Sequence, residues 1–271
     1  HMNNYLECPL KFYYQNFLRV PGARNEAMEY GSAMHWALQR FFEEMLNRDG
    51  TFPDTDEAIA WFETGLRRRA EVFRPQDLDD YLETGRAALR AYLERYRGEL
   101  HTNVTLERRS QAVFDGIPLS GVFDKLEISD RSINVVDYKT GKFSNARGSY
   151  RKFNRPGESV VKKTPAYVGE HGGDYWRQAV FYRILLAGDP TFSGLEVTSA
   201  EFDFIEPEDD TFHKQKVIIT PEDIRLVQDQ IRTVYTAIMN REFTGCGDED
   251  CDWCAFENAR QALPIVEDVE G

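Results

Sequence analysis

"GVFDKLEISDRSINVVDYKTGK", Gly121–Lys142, holds two apolar-rich runs on either side of Ser129-Asp130-Arg131-Ser132, a cluster of turn formers. A hairpin turning at Asp130-Arg131 pairs residues whose numbers have a constant sum, so Asp124 is expected opposite Asp137. Side chains alternate along a strand, which puts Asp137 and Lys139 on one face, with Lys139 across from Val122. Two carboxylates facing each other destabilise a sheet by roughly a few tenths of a kcal/mol or more. Either a divalent cation offsets that repulsion, or Lys139 alone bridges the pair in a surface charge ladder. Val135-Val136 ahead of Asp137 reads as buried strand, and Thr140-Gly141 as an abrupt exit, so the charged set is expected at a strand end.

Outward from the hairpin, β-branched residues and a turn at Asp115-Gly116 predict an antiparallel meander of strands at 103–114, 117–128 and 132–139. Helical spacing of Met34, Leu38, Phe41 and Met45 predicts an amphipathic helix over 28–47, with further helices at 55–72 and 77–98. "DYWRQAVFYRILLAG", 174–188, predicts a helix with Asp174 as its cap, followed by strands at 199–206 and 212–219. Thr220 as N-cap and Pro221 at the first helical position open a last helix over 220–240. The expected fold is α/β: a mixed sheet flanked by helices, with one helix inserted between its strands.

The chain carries a formal net charge of −13, which argues against indiscriminate nucleic-acid binding. The balance reverses locally in 142–163, where Lys142, Arg147, Arg151, Lys152, Arg155, Lys162 and Lys163 face one acid, Glu158. That segment reads either as a solvated, mobile loop or as a loop that meets phosphates. No stretch is long and apolar enough to span a membrane, and the start is not a signal peptide. His1-Met2 reads as a scar of expression, so the expectation is a module from inside a longer, cytoplasmic protein.

Of the four cysteines, Cys246, Cys251 and Cys254 cluster in "CGDEDCDWC", while Cys8 lies at the other end of the chain. Cys-x4-Cys-x2-Cys is a ligand-like spacing, and four reduced sulfurs suit Zn²⁺ or a [4Fe–4S] cluster.

"GVFDKLE" followed by "DYKTGK" resembles the PD-(D/E)XK nucleases, specifically their RecB/AddB-like branch. "GSAMHWAL" is similar to that branch's histidine motif, "GGDYWRQAVFYRIL" to its glutamine–tyrosine motif, and "CPLKFYY" to its opening. The resemblance runs from about Tyr5 to Phe256 and implies one nuclease domain over 1–271. Within it lie a helical segment at 28–100, a catalytic core at 103–240, and a cysteine site joining the ends.

The resemblance further implies Asp124 and Asp137 as ligands of Mg²⁺ or Mn²⁺, with His35 and the Tyr138 carbonyl as further donors. Lys139 is the catalytic ammonium, and Gln178 and Tyr182 complete the site from one helix face. Glu107, in "VTLERR", is a further candidate acid near the site, its facing not fixed by the sequence. Cys8, Cys246, Cys251 and Cys254 are expected to hold a [4Fe–4S] cluster, although the branch more often shows Cys-x2-Cys-x5-Cys. Lys142, Arg147, Arg151, Lys152 and Arg155 are expected on DNA, with a helicase region of the parent chain as partner. The activity implied is that of an exonuclease module in DNA repair or recombination. A catalytically silent DNA-binding domain and a zinc-stabilised interaction module are the alternatives.

Overall fold

The computed structural model describes residues 1–22 and 24–262. Two short helices, α1 (Met2–Glu7) and α2 (Pro9–Phe12), precede three longer ones, α3 (Glu26–Asn47), α4 (Thr55–Arg67) and α5 (Pro75–Tyr96). Asn25 caps α3 by accepting the Met28 amide, and a capping box of Asp54 and Glu57 opens α4.

Next come β1 (Val104–Phe114), β2 (Ile117–Ser129) and β3 (Ser132–Lys139), the expected antiparallel meander. After the basic loop, α6 (Ala166–His171) and α7 (Asp174–Ala187) carry the chain to β4 (Glu196–Glu208), which pairs parallel to β3. Strand β5 (Thr211–Ile218) pairs antiparallel to β4. The sheet is therefore mixed, in the order β1-β2-β3-β4-β5. Helices α8 (Pro221–Met239) and α9 (Asp252–Ala262) follow, α8 opening on the expected Thr220 cap and Pro221.

Each face of the sheet has its own core. Met34, Leu38, Phe41 and Phe42 of α3 join Phe62 of α4 and Leu89 and Tyr92 of α5 over Val136 and Tyr138 of β3. On the other face, Trp176, Val180 and Leu185 of α7 and Val227 and Ile231 of α8 cover Phe123, Val135 and Phe202. The strand period thus turns Val136 and Tyr138 towards α3–α5, and Val135, Asp137 and Lys139 towards α7. That split delivers Asp137 to the helix that carries Gln178 and Tyr182.

Helix α7 departs from expectation at its start. Gly173, not Asp174, is the N-cap, and Asp174 lies in the first turn. The amides of Tyr175 and Trp176 are instead taken by the main-chain carbonyl of Lys152, at 2.9 and 3.0 Å. A Cβ on Gly173 would stand 2.3 Å from that oxygen, so this close approach requires glycine.

Candidate active site

Asp137 is 4 % exposed and its two carboxylate oxygens have different surroundings. Oδ1 accepts from Tyr182 Oη at 2.8 Å and from Gln178 Nε2 at 2.7 Å. Oδ2 faces the Lys139 ammonium at 2.5 Å and is otherwise a buried oxygen without a hydrogen-bond partner. Gln178 and Tyr182 lie one turn apart on α7, and Gln178 Nε2 also reaches Tyr182 Oη at 2.5 Å. Burial alone would lower the Lys139 pKa, but the charge of the Asp137 carboxylate outweighs it and holds the group above its usual value.

Asp124 belongs to a second set. The hairpin register is the expected one from Ser129–Ser132 to Lys125–Val136, and there the paired ladder ends. Asp124 does not face Asp137 as a ladder pair, because its Oδ2 accepts the Tyr138 amide at 2.9 Å. The carboxylate takes a donor that a β2 carbonyl would otherwise take, and the strands part at the site. His35 of α3 meets the same oxygen, with Nδ1 at 3.3 Å. Burial works against the charged forms of both, yet their attraction prevails: His35 is held above the usual histidine range and Asp124 below the usual carboxylate range. Glu107 lies in β1 between two residues paired with Lys125 and Phe123, and so beside Asp124. Its φ of 42° is left-handed, and its pKa is raised first by burial and then by the Asp124 charge.

The basic loop is anchored rather than free. Besides the Lys152 carbonyl, the Asn154 carbonyl accepts the Gly173 amide at 2.8 Å. Arg155, expected on DNA, is instead committed to Asp223 at the start of α8, through bonds of 2.7 and 3.0 Å, and to the Ile218 carbonyl at 3.1 Å. A guanidinium whose fork is filled by a buried carboxylate anchors the loop and is not free for a phosphate. Arg147 lies over the Phe143 ring at 5.9 Å and Lys152 over the Tyr175 ring at 4.7 Å. Tyr175 is a site residue that sequence reasoning missed: the Lys139 ammonium is 4.6 Å from its centroid. Its signal was its place three residues before Gln178, on the same stripe of α7.

Elsewhere in the fold, Cys8, Cys246, Cys251 and Cys254 bring one sulfur each to within 4.8 Å of one another. Cys254 Sγ lies 3.9 Å from Cys8 Sγ and 3.6 Å from Cys246 Sγ, and all four are free thiols. Burial and then the neighbouring sulfurs push Cys246 up to about 12, while hydrogen bonds overcome burial and hold Cys254 below its usual value. Tyr14 stacks on Trp253 with centroids 5.6 Å apart, packing the N-terminal segment against α9.

Among the described residues, this is the one group of three or more His, Cys, Asp or Glu ligand atoms gathered that closely. His35, Asp124 and Asp137 are neighbours but do not converge within the same span. Their chemistry nevertheless fits a divalent ion: two carboxylates and an imidazole, with Asp137 Oδ2 buried at the strand end and met by Lys139 alone.

A family model described as the PD-(D/E)XK nuclease superfamily matches residues 1–259. No curated protein matches the chain. Among solved structures, the chain is similar to a candidate exonuclease from Eubacterium rectale, at 12% identity and a TM-score of 0.56, over 99% of this chain and 90% of that one. A second structure, of SSO0001, aligns over 95% of this chain and 94% of its own at 12% identity, with a TM-score of 0.34 that bears no weight.

Proposed function

The chain belongs to the PD-(D/E)XK nuclease superfamily, and from that premise we propose that it is a metal-dependent deoxyribonuclease using Asp124, Asp137 and Lys139. The observation that carries this reading is the buried Asp137 carboxylate, oriented by Gln178 and Tyr182 and presented with Lys139 beside the His35–Asp124 pair. A bound Mg²⁺ or Mn²⁺ supplies Lewis-acid polarisation and a template for the attacking water. Asp124 and Asp137 hold it, with His35 and the Tyr138 carbonyl as further donors. Lys139 places an ammonium where charge builds on the phosphoryl oxygens. Gln178 and Tyr182 are positioning residues, because they touch Asp137 and fix its carboxylate plane.

The chain acts as one nuclease domain, with Lys142, Arg147, Arg151 and Lys152 meeting DNA. An exonuclease role, in a cytoplasmic helicase–nuclease of DNA repair or recombination, follows from the RecB/AddB-like resemblance and agrees with the description of the E. rectale protein. Labelled linear and circular DNA, single- and double-stranded, tests it with Mg²⁺ or Mn²⁺. Metal-dependent loss of linear substrates with circles spared supports the exonuclease reading, whereas cutting of circles makes the protein an endonuclease.

The sulfur spacing bears on what the cysteines hold. A single tetrahedral ion with bonds of about 2.3 Å to sulfur sets its ligands roughly 3.8 Å apart. The separations of 3.6 and 3.9 Å agree with that spacing. The four sulfurs together lie within 4.8 Å of one another, a gathering that suits either one Zn²⁺ or, with the sulfurs spread further, the [4Fe–4S] cluster that the resemblance implies. Metal analysis and the visible spectrum of protein purified without air distinguish the two.

A further inference from the structure

Lys152 differs from the other bases of its loop. Its amide donates to the Ala146 carbonyl at 2.8 Å, and its own carbonyl receives the first amides of α7. The backbone is fixed at both ends, so the side chain has a defined origin. The ammonium lies 4.7 Å from the Tyr175 centroid and 3.5 Å from the Tyr175 hydroxyl. The same ring has Lys139 at 4.6 Å on its way to Asp137. Two cations therefore share one aromatic ring, and only Lys139 has a carboxylate partner. In a chain with 46 acidic and 33 basic residues, an ammonium in that place without a carboxylate partner among the described residues suits an anion that arrives with the substrate. A second cation on the ring that Lys139 also meets suits a further phosphate of the bound strand, beside the one at the reacting centre.

Beside Lys152 is a cavity of about 220 Å³, lined also by Tyr150, Pro165, Tyr167, Val168 and Asp174. Tyr150 is 44 % exposed at the loop surface. Tyr167 is held in place by donating to Asp174 Oδ2 at 3.0 Å. Two aromatic rings and a proline next to an ammonium are the kind of lining on which an unpaired base can stack with its phosphate held.

We propose that Lys152, Tyr150 and this cavity form a nucleotide subsite, holding the phosphate and the base next to the scissile bond. The subsite rests on the nuclease reading of Asp124, Asp137 and Lys139. It commits the strand to being unpaired at the point of cleavage, because a base inside a duplex cannot enter the cavity.

Single-stranded oligonucleotides test it, each carrying one neutral methylphosphonate linkage or one abasic nucleotide at successive positions. They are cleaved by the wild-type protein, Lys152→Met, Tyr150→Ala and, as a control for lost charge, Lys163→Met. Replacing the Lys152 side chain leaves the capping carbonyl in place, and thermal melting checks that α7 is intact. The expected result is a fall of about tenfold in kcat/KM for Lys152→Met. A methylphosphonate next to the scissile bond should penalise the wild type and Lys163→Met equally, and Lys152→Met no further. An abasic nucleotide at the same place should penalise the wild type but not Tyr150→Ala. Penalties that are the same in every protein overturn the subsite while leaving the nuclease reading intact. A wild-type protein that cleaves no DNA contradicts the nuclease reading itself, and the subsite falls with it.

Discussion

Asp137 turns one oxygen to the protein and the other to the site. Two neutral donors fix Oδ1, and Lys139 alone faces Oδ2. Removing one donor should loosen the carboxylate without exposing it. Tyr182→Phe is therefore expected to lower kcat about tenfold, in line with roughly 1.5 kcal/mol for a hydrogen bond to a charged group. KM and the melting temperature should change little, and steady-state kinetics with a thermal melt check both. A drop in melting temperature matching the drop in kcat would instead make Tyr182 a core residue. At this scale the residues legible in the sequence were those with few other uses, such as Asp-Tyr-Lys at a strand end and Gln178 with Tyr182 one turn apart. Tyr175 was not legible, because an aromatic on a buried helix reads as core. Nor was Arg155, whose partner Asp223 is 68 residues away.

The element that most affects the site is the join between the basic loop and the two helices α7 and α8. Asp223 is buried, closes the α8 capping box with Thr220, and accepts from Arg155 and from Trp176 Nε1. Burial would raise its pKa, but these bonds outweigh burial and bring it from the usual 3.8 to about 2. A carboxylate whose pKa is depressed by folding stabilises the fold at pH values above its unfolded pKa. That contribution, about 2 kcal/mol, fades as pH falls from about 4 to about 2. Urea denaturation at a series of pH values should thus show Asp223→Asn less stable than wild type near neutrality, with the gap closing in acid. A gap independent of pH would contradict the assignment. Element positions were legible because period and caps are local, and the meander and its turn came out as read. The misread cap of α7 has a physical reason: a carbonyl from a distant loop did the work that a local side chain was expected to do. Alternation likewise placed Lys125 at a strand position without showing that α3 covers it. Lys125 is 2 % exposed, paired with Glu127 at 2.9 Å and facing the Phe42 ring at 4.5 Å.

At the scale of the molecule, the N-terminal segment is fastened to the rest of the fold at several places. Arg177, fully buried in α7, reaches Asn3 at 2.9 Å, Gln230 of α8 at 3.0 Å and the Gly172 carbonyl at 2.7 Å. Arg177→Met should cost about 3 kcal/mol in chemical denaturation, because it strands several buried acceptors at once. The cysteine group closes a loop of 246 residues between Cys8 and Cys254. Ligands that converge only in the folded chain turn metal binding into folding energy, in principle several kcal/mol. Cys8→Ser is expected to lose both the bound metal and thermal stability. Brown wild-type protein containing iron identifies a cluster and colourless protein with one Zn²⁺ identifies zinc, both keeping the closure, whereas a Cys8→Ser protein as stable and as metal-rich as wild type would refute it. That the ends meet was legible from cysteine spacing; that Arg177 also fastens the N-terminal segment to α7 and α8 was not, since a lone arginine on an apolar helix names no partner. The central claim is that Asp124 and Asp137 hold a divalent ion that cuts DNA. Its most direct measurement pairs calorimetry of Mn²⁺ binding with cleavage of labelled linear DNA, in wild type, Asp124→Ala and Asp137→Ala. The account predicts binding and cleavage in the wild type and loss of both in each variant, with folding retained. Full cleavage by either variant would contradict it.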